Sequence, residues 1–483
     1  MTIPEINWGS IGPELTLIGT VVVVLLLDLF VVSREKKETL GYFTVLGLVL
    51  ALAFTLVEIV GVSRPFGGMI IIDGFTRFFT VLILGVAILV TLMSIPVLRD
   101  EEMDEGGYHV LVLLSTVGML LMVKGIDLIV IFLGLEILSV AIYVLAGYRK
   151  WVKESAEAAL KYFLLGAFAA AFFLYGIALI YGATGTTNLE EIARYIELKG
   201  LGNNLLLLFG ASLILVGLGF KLALVPFHSW TPDVYEGAPT AITAFMAVGV
   251  KAAVFAALVR VFGGALSSIG VQWQDVLWVL AVLTMTLGNV VALSQTNIKR
   301  MLAYSSIAHA GYIMVGIVAG GELGWSSVLY YLVAYTFMNL GAFGVVLFYG
   351  QKGEANVEIP DYAGVGFRYP FLGAAMTIFL FSLAGIPPLA GFMGKFYIFS
   401  AAIKSGCIWL TIIGVMNSLI SVFYYFRVTV IMYMKEPVKD VVLEYAGPIM
   451  IVLIVALVGT IQIGLFPTFY LERALDSIQW LVS

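Results

Sequence analysis

Charge is scarce in this 483-residue sequence. Only 12% of its side chains are charged, while 61% are hydrophobic; a soluble domain carries about 25% charged residues. So few charges cannot wet a globular surface. That excludes a soluble enzyme, a disordered chain and a nucleic-acid-binding protein. Cysteine is nearly absent too, with Cys407 standing alone. One thiol makes no intrachain disulfide, no Cys-ligated iron–sulfur cluster and no CxxCH haem attachment. Histidine occurs three times, as His109, His228 and His309. There is no GxxxxGKS/T phosphate loop, because the one Gly-Lys step, Gly394-Lys395, runs on into Phe396. No dinucleotide-binding βαβ unit can be placed either. The chain therefore has no visible means of hydrolysing ATP or holding NAD. Any transport it performs draws on a gradient or a partner.

Long apolar runs fill the space the charges leave. A bilayer core takes about 20 apolar residues per helix. Runs of that kind fall near 13–32, 40–62, 74–97, 108–124, 127–147, 156–182, 204–226, 239–262, 275–296, 300–319, 325–350, 370–403, 407–434 and 444–466. They predict an all-α polytopic membrane protein of about 14 transmembrane helices in the lipid bilayer, with a short amphipathic tail over 467–483. The N-terminus lacks a positive n-region, so the first run reads as a retained helix and not as a signal peptide. With both termini on the outer face, 14 basic residues flank the inner ends of the spans and 8 the outer ends, out of 26. That bias orients the bundle.

The remaining four basic residues, Lys161, Lys221, Lys251 and Lys395, fall inside spans, as does Glu136. A charge at mid-bilayer costs several kcal/mol unless it is paired or hydrated, so each is a functional candidate. Two of the spans look broken. Pro226 has no amide hydrogen and frees the carbonyl of Leu222; Pro387 and Pro388 free those of Leu383 and Ala384. Backbone opened at membrane depth survives where it lines a polar cavity. Half-helix ends also help to hold charge there.

Desolvation disfavours an amine's charge and a nearby carboxylate restores it. An amine poised between the two can take and give a proton, which is what a relay requires. Glu136 has Ser139 and Tyr143 on its own helix face, at i+3 and i+7. Ser305 and His309, and then Tyr331, Tyr335 and Asn339, form further polar stripes. His228 lies two residues past the first break. Blander readings stand beside these. A lone intramembrane charge could be a structural ion pair. Lys161, near a helix end, could snorkel. His228 and His309 could be hydrogen-bonded packing, and the Tyr331 stripe could be packing alone. His109 opens the fourth span and reads as interfacial. Asp28, Glu58 and Asp127, near span ends, read as solvated.

Residues 159–168 (ALKYFLLGAF) align with 328–337 (VLYYLVAYTF) through Leu160/Leu329, Tyr162/Tyr331 and Phe168/Phe337. Each segment precedes a Pro-broken, lysine-bearing span, at an offset of five helices. An odd offset places the copies in opposite orientation, an inverted repeat. The predicted division is 1–107 for helices 1–3, 108–262 for a first five-helix inverted repeat and 263–440 for a second. Residues 441–483 then hold helix 14 and the tail.

Three segments carry a resemblance: LVPFHSWTPDVYEGAPTAITAFMAVGVKAAVFA, IKRMLAYSSIAHAGYIMVGI and LAGIPPLAGFMGKFYIF. They resemble the antiporter-like subunits of the proton-pumping NADH–quinone oxidoreductase, respiratory complex I, and among these subunit N. The resemblance runs over nearly the whole chain. It implies a translocase subunit without a redox centre of its own, with FMN, iron–sulfur clusters and quinone on partner subunits. It also implies the antiporter-like subunit M and the small subunits K and J as neighbours, and a place in the bacterial cytoplasmic (inner) membrane. No nucleic acid is involved. Residue by residue, it makes Glu136 and Lys221 a coupling pair, Lys251 the linking lysine and Lys395 the terminal lysine. Lys161 and His228 match further family positions; His309 and Tyr331 join as relay candidates from their stripes. Lys395 argues against subunit M, which has glutamate there. The short tail argues against subunit L, which continues into a long lateral helix. The stretch WTPDVYEGAPT favours subunit N over its D-type counterpart in the multisubunit Na+/H+ antiporters. That counterpart and a hydrogenase-linked version of the module are the alternatives.

Overall fold

A computed structural model describes residues 7–479, apart from 34–35, 58–60, 102, 104, 440, 442, 444–446 and the side chains of 271–272. Glu58 lies outside the described residues. Among those described, 13 helices are long and apolar enough to cross a membrane. They fall where the apolar runs predict, with ends displaced by a few residues. The run over 370–403 is different. It forms two 15-residue helices, Pro370–Ala384 and Ala390–Lys404.

Polar residues at the ends punctuate the spans. Asp73, Asp127, Asn188, Asn204 and Asn297 each accept a backbone N–H in the first turn of the helix that follows, serving donors that the helix cannot satisfy itself. Between the ends, side-chain size decides packing. Gly118 and Gly134 let two helices touch backbone to backbone, and Gly176 and Gly210 do the same for another pair. A Cβ at any of the four would come within 3.0 Å of a facing carbonyl. Large apolar side chains such as Leu160, Phe163 and Phe168 point outward from the bundle, as lipid-facing residues should.

The helix Thr240–Ala265 has no outward face at all; its apolar window is wholly buried. It contains two π-helical stretches, Met246–Val250 and Val259–Ala265, on either side of Lys251.

Both predicted breaks are present, and each has its own geometry. The Lys221 helix, Leu205–Leu222, stops four residues before Pro226, with Ala223 in the left-handed region at φ 59°. The residue before a proline resists the α conformation, so the unwinding starts ahead of Pro226. After a turn the chain resumes as Thr231–Gly237. In the second break Pro370–Ala384 ends on Gly385 at φ 90°. The following half-helix then packs so closely that a Cβ on Gly391 would stand 1.8 Å from the carbonyl oxygen of Ser382.

Two expectations of exposure fail. His109 is not exposed at the end of its span: it is fully buried, at 0% exposure. Its helix begins at Glu105, one turn earlier than the apolar run suggests, and this carries the imidazole inside, beside Gly41. Asp127 is not solvated either. It is buried, accepts the Ile129 amide and accepts the Thr187 hydroxyl at 2.8 Å. Asp28 forms an ion pair with Lys37 at 2.8 Å.

Gly391→Ala should prevent the second broken span from closing, at a cost of about 2 kcal/mol or more from overpacking. Gly182→Ala, inside the helix Lys153–Thr184 where a Cβ meets nothing within 4 Å, should not destabilise, since alanine is the better helix former. Thermal midpoints of the two variants in detergent check this; equal midpoints would refute the packing argument.

Candidate functional site

The three lysines within the apolar interior are not drawn out to the surface. Lys221 is 3% exposed, Lys251 2% and Lys395 4%. Each finds a different set of oxygens.

Lys221 occupies the last turn of its half-helix. Its Nζ donates to the hydroxyls of Tyr143 and Tyr162, at 3.2 and 3.4 Å. It also lies 4.6 Å from each ring centroid, a distance at which the ring quadrupole attracts the ammonium. Trp230, from beyond the break, stacks on Tyr162 at 4.3 Å and 7°. The indole N–H donates to the carbonyl of Phe220 at 3.0 Å. The segment after the break thus folds back onto Tyr162 and the last turn of the Lys221 helix. Glu136, on the helix Leu128–Ala146, is half-buried next to the outward-facing Leu133 and Ile137. It lies within electrostatic reach of Lys221, and its Oε1 is buried with no hydrogen-bond partner.

Lys251 donates to the carbonyl and the hydroxyl of Ser306, at 2.7 and 2.6 Å. Ser306 belongs to the helix Ile298–Ala319. One turn along that helix, His309 bridges two phenols. Its Nδ1 is 2.7 Å from the Tyr331 hydroxyl and its Nε2 3.2 Å from that of Tyr425. Tyr425 also meets the hydroxyl of Ser305. Further along the Tyr331 helix, Gly321–Gly350, the hydroxyl of Tyr335 and the amide of Asn339 are buried without hydrogen-bond partners.

Lys395 reaches back across its own break. Its Nζ donates to the carbonyls of Leu383 and Ala384, at 3.1 and 2.9 Å, and to the hydroxyl of Ser418 at 2.9 Å. It lies 4.8 Å from the ring of Tyr312, which packs edge-on against His309. The two carbonyls are those that Pro387 and Pro388 cannot serve. Gly385 leaves room for this contact, since a Cβ there would come within 3.0 Å of the lysine chain.

Lys161 is placed differently. Its side chain is 39% exposed and pairs with Asp233 at 2.6 Å and Glu157 at 2.7 Å. Arg300 joins the cluster through Asp233 and Glu236. Burial would push the Asp233 carboxyl up, but the hydrogen bonds from Lys161 and Arg300 outweigh it and hold the group below its ordinary value. His228 lies in the first break, half-buried, and its Nδ1 has no hydrogen-bond partner.

Lys251 thus meets Ser306, and three residues along the same helix His309 packs on Tyr312, which in turn faces Lys395. Lys221, with Glu136 near it, sits between the rings of Tyr143 and Tyr162. Local sequence patterns do not single out Tyr162, Tyr425, Ser306 or Ser418 as site residues. Tyr162 had a signal: it aligns with Tyr331 in the internal comparison, and each of the two phenols touches a candidate relay residue. Among the described residues no three His, Cys, Asp or Glu side chains converge as metal ligands.

Known proteins resemble this chain over nearly its whole length. Residues 125–421 match the family model described as NADH:quinone oxidoreductase/Mrp antiporter, TM. A curated NADH-quinone oxidoreductase subunit N from Trichlorobacter lovleyi is 48% identical, covering 98% of this chain and 97% of the relative. One from Chloroflexus aggregans is 45% identical over 97% and 96%. Among solved structures, a chain of respiratory complex I from Thermus thermophilus superposes with a TM-score of 0.80 at 35% identity, covering 95% of this chain and 98% of that one. A chain of an archaeal membrane-bound sulfane sulfur reductase superposes at 0.84 with 28% identity, covering 98% of each. With its many apolar crossings, two interrupted helices and buried lysines, the chain belongs to the NADH-quinone oxidoreductase subunit N family of antiporter-like membrane proteins.

Proposed function

We propose that this chain is a redox-inert proton-translocating module whose path runs from Glu136 and Lys221 through Lys251 to Lys395. The observation that carries the reading is the burial of three lysines whose amines meet neutral oxygens and aromatic faces. A structural role would require firm ion pairs, because an unpaired ammonium in a dry core is costly.

In this reading, quinone reduction on partner subunits sends an electrostatic change along the membrane. FMN and iron–sulfur clusters reside on those partners, with the antiporter-like subunit M and the small subunits K and J as neighbours. When Glu136 moves or loses its charge, Lys221 loses a stabilising neighbour and gives up its proton. The proton passes by way of Lys251, Ser306, His309 and the phenols of Tyr331 and Tyr425 to Lys395. Repulsion from a newly charged neighbour then expels it outward. Moving one charge through 100 mV takes about 2.3 kcal/mol. Changes of that size at each amine are within reach of one nearby charge in a low-dielectric site. His228 and the Lys161–Asp233 cluster stand at the entry side. The two broken spans belong to the inverted repeats 108–262 and 263–440. The membrane is the bacterial cytoplasmic membrane, with both termini outside and the Lys299 end of the bundle facing the cytoplasm.

Lys221→Ala should abolish most proton pumping and slow coupled NADH:quinone turnover while the complex still assembles. Proton uptake by inverted vesicles, set against partner-subunit content, checks this. Full pumping would end the assignment. The orientation is tested separately by cysteine labelling in a Cys407→Ser background. A membrane-impermeant maleimide should label Ser405→Cys in right-side-out vesicles and Lys352→Cys only in inverted ones. The opposite pattern would reverse the topology.

A further inference from the structure

The loop after Gly350 contains an unusual residue. Glu354 is buried at 8% exposure, and it holds φ 53°, a left-handed conformation that is costly for any side chain but glycine. Gly353 beside it, at φ 76°, is the residue type such a turn ordinarily uses. A glutamate in this position must be held by what its side chain does.

Its carboxylate joins three parts of the molecule. Oε1 accepts the backbone N–H of Thr240 at 2.6 Å. Oε2 accepts Lys299 Nζ at 2.7 Å and lies 3.5 Å from Arg149 Nη1. Lys299 also donates to the carbonyl of Ala238 at 2.7 Å. Arg149 pairs with Glu101 at 3.0 Å. Burial would raise the Glu354 carboxyl, but the charges of Lys299 and Arg149 and its hydrogen bonds from Lys299 and Thr240 prevail and keep it below its ordinary value. The loop itself is pinned, because Val357 accepts the Ile298 amide at 2.8 Å and Ile359 donates to Thr296 at 2.8 Å.

Thr240 is the first residue of the Lys251 helix. Pro239, at the capping position, offers no side-chain acceptor. Glu354 supplies the missing cap from a loop 114 residues away in sequence, with a negative charge where the helix dipole favours one. Lys299 lies in the first turn of the helix that carries Ser305, Ser306 and His309. About three turns separate Thr240 from Lys251, and about two separate Lys299 from Ser306. One carboxylate thus fixes the starting points of the two helices whose side chains meet at the Lys251–Ser306 contact.

We infer that Glu354 is a positioning residue: by tying the N-terminus of the Lys251 helix to Lys299, it sets the register in which Lys251 Nζ meets Ser306. The inference rests on the proton-relay reading, and it assigns Glu354 no proton of its own to carry.

The test is an epistasis measurement in the intact complex. Glu354→Gly relieves the backbone and removes the carboxylate. Proton uptake per NADH oxidised should fall at least threefold, while electron transfer from NADH to a soluble artificial acceptor, which partner subunits perform, stays unchanged. In a Lys251→Ala background the same substitution should cause no further loss, because the contact it positions is already gone. If Glu354→Gly pumps normally while Lys251→Ala is impaired, the positioning role fails and the relay stands. An independent, multiplicative loss in the double variant would also overturn the inference. Normal pumping by Lys251→Ala alone would instead overturn the relay. Should Glu354→Gly fail to assemble, Glu354→Gln, which keeps a neutral acceptor for Thr240, takes its place in the same cycle. Failure of both to assemble would reduce Glu354 to a scaffold residue and end the inference.

Discussion

An ammonium group cannot be left bare in hydrocarbon, and this bundle is arranged around that constraint. Apolar packing alone would place nothing polar near Lys221, Lys251 or Lys395. The fold answers partly by spoiling its own regularity: two helices are interrupted, a third takes π-helical form on both sides of its lysine, and oxygens are turned toward each amine. Each solution differs. Phenol hydroxyls and ring faces hold Lys221. A serine met across a helix pair holds Lys251, and backbone carbonyls hold Lys395. Neutral acceptors leave the amine free to change its protonation state without stranding a partner charge, as a tight carboxylate pair would.

Much of this was legible in the sequence because the bilayer imposes so narrow a grammar. Only helices satisfy their backbone in lipid, so apolar runs became spans nearly one for one. Proline chemistry located both breaks, and for the second it named the very carbonyls that Lys395 uses. The 370–403 run read as one span because its two halves together have the apolar length of a crossing; Pro387 and Pro388 divide it.

What stayed hidden depends on neighbours far away in sequence. That Tyr162 and Tyr143 both close on Lys221 follows from the packing of three helices, not from any local pattern. Nothing near Thr240 announces that Glu354 will cap it. His109 looked interfacial because the apolar run begins beside it, at 108, yet the helix starts at Glu105 and packing beside Gly41 buries the imidazole. Asp127 misleads in a similar way: it is a charged residue near a span end, buried with a partner, Thr187, that the sequence does not place beside it.

The second break has a consequence that the first does not. The amine of Lys395 is gripped by peptide dipoles and a serine hydroxyl, none of which titrates. No change in acidity at its own ligands can loosen that grip. In the proposed relay, release at this end would be mechanical or driven by a rival cation brought close, so the exit would act as a valve set by distance. The proposed entry, with a carboxylate within reach of its lysine, would act as one set by charge.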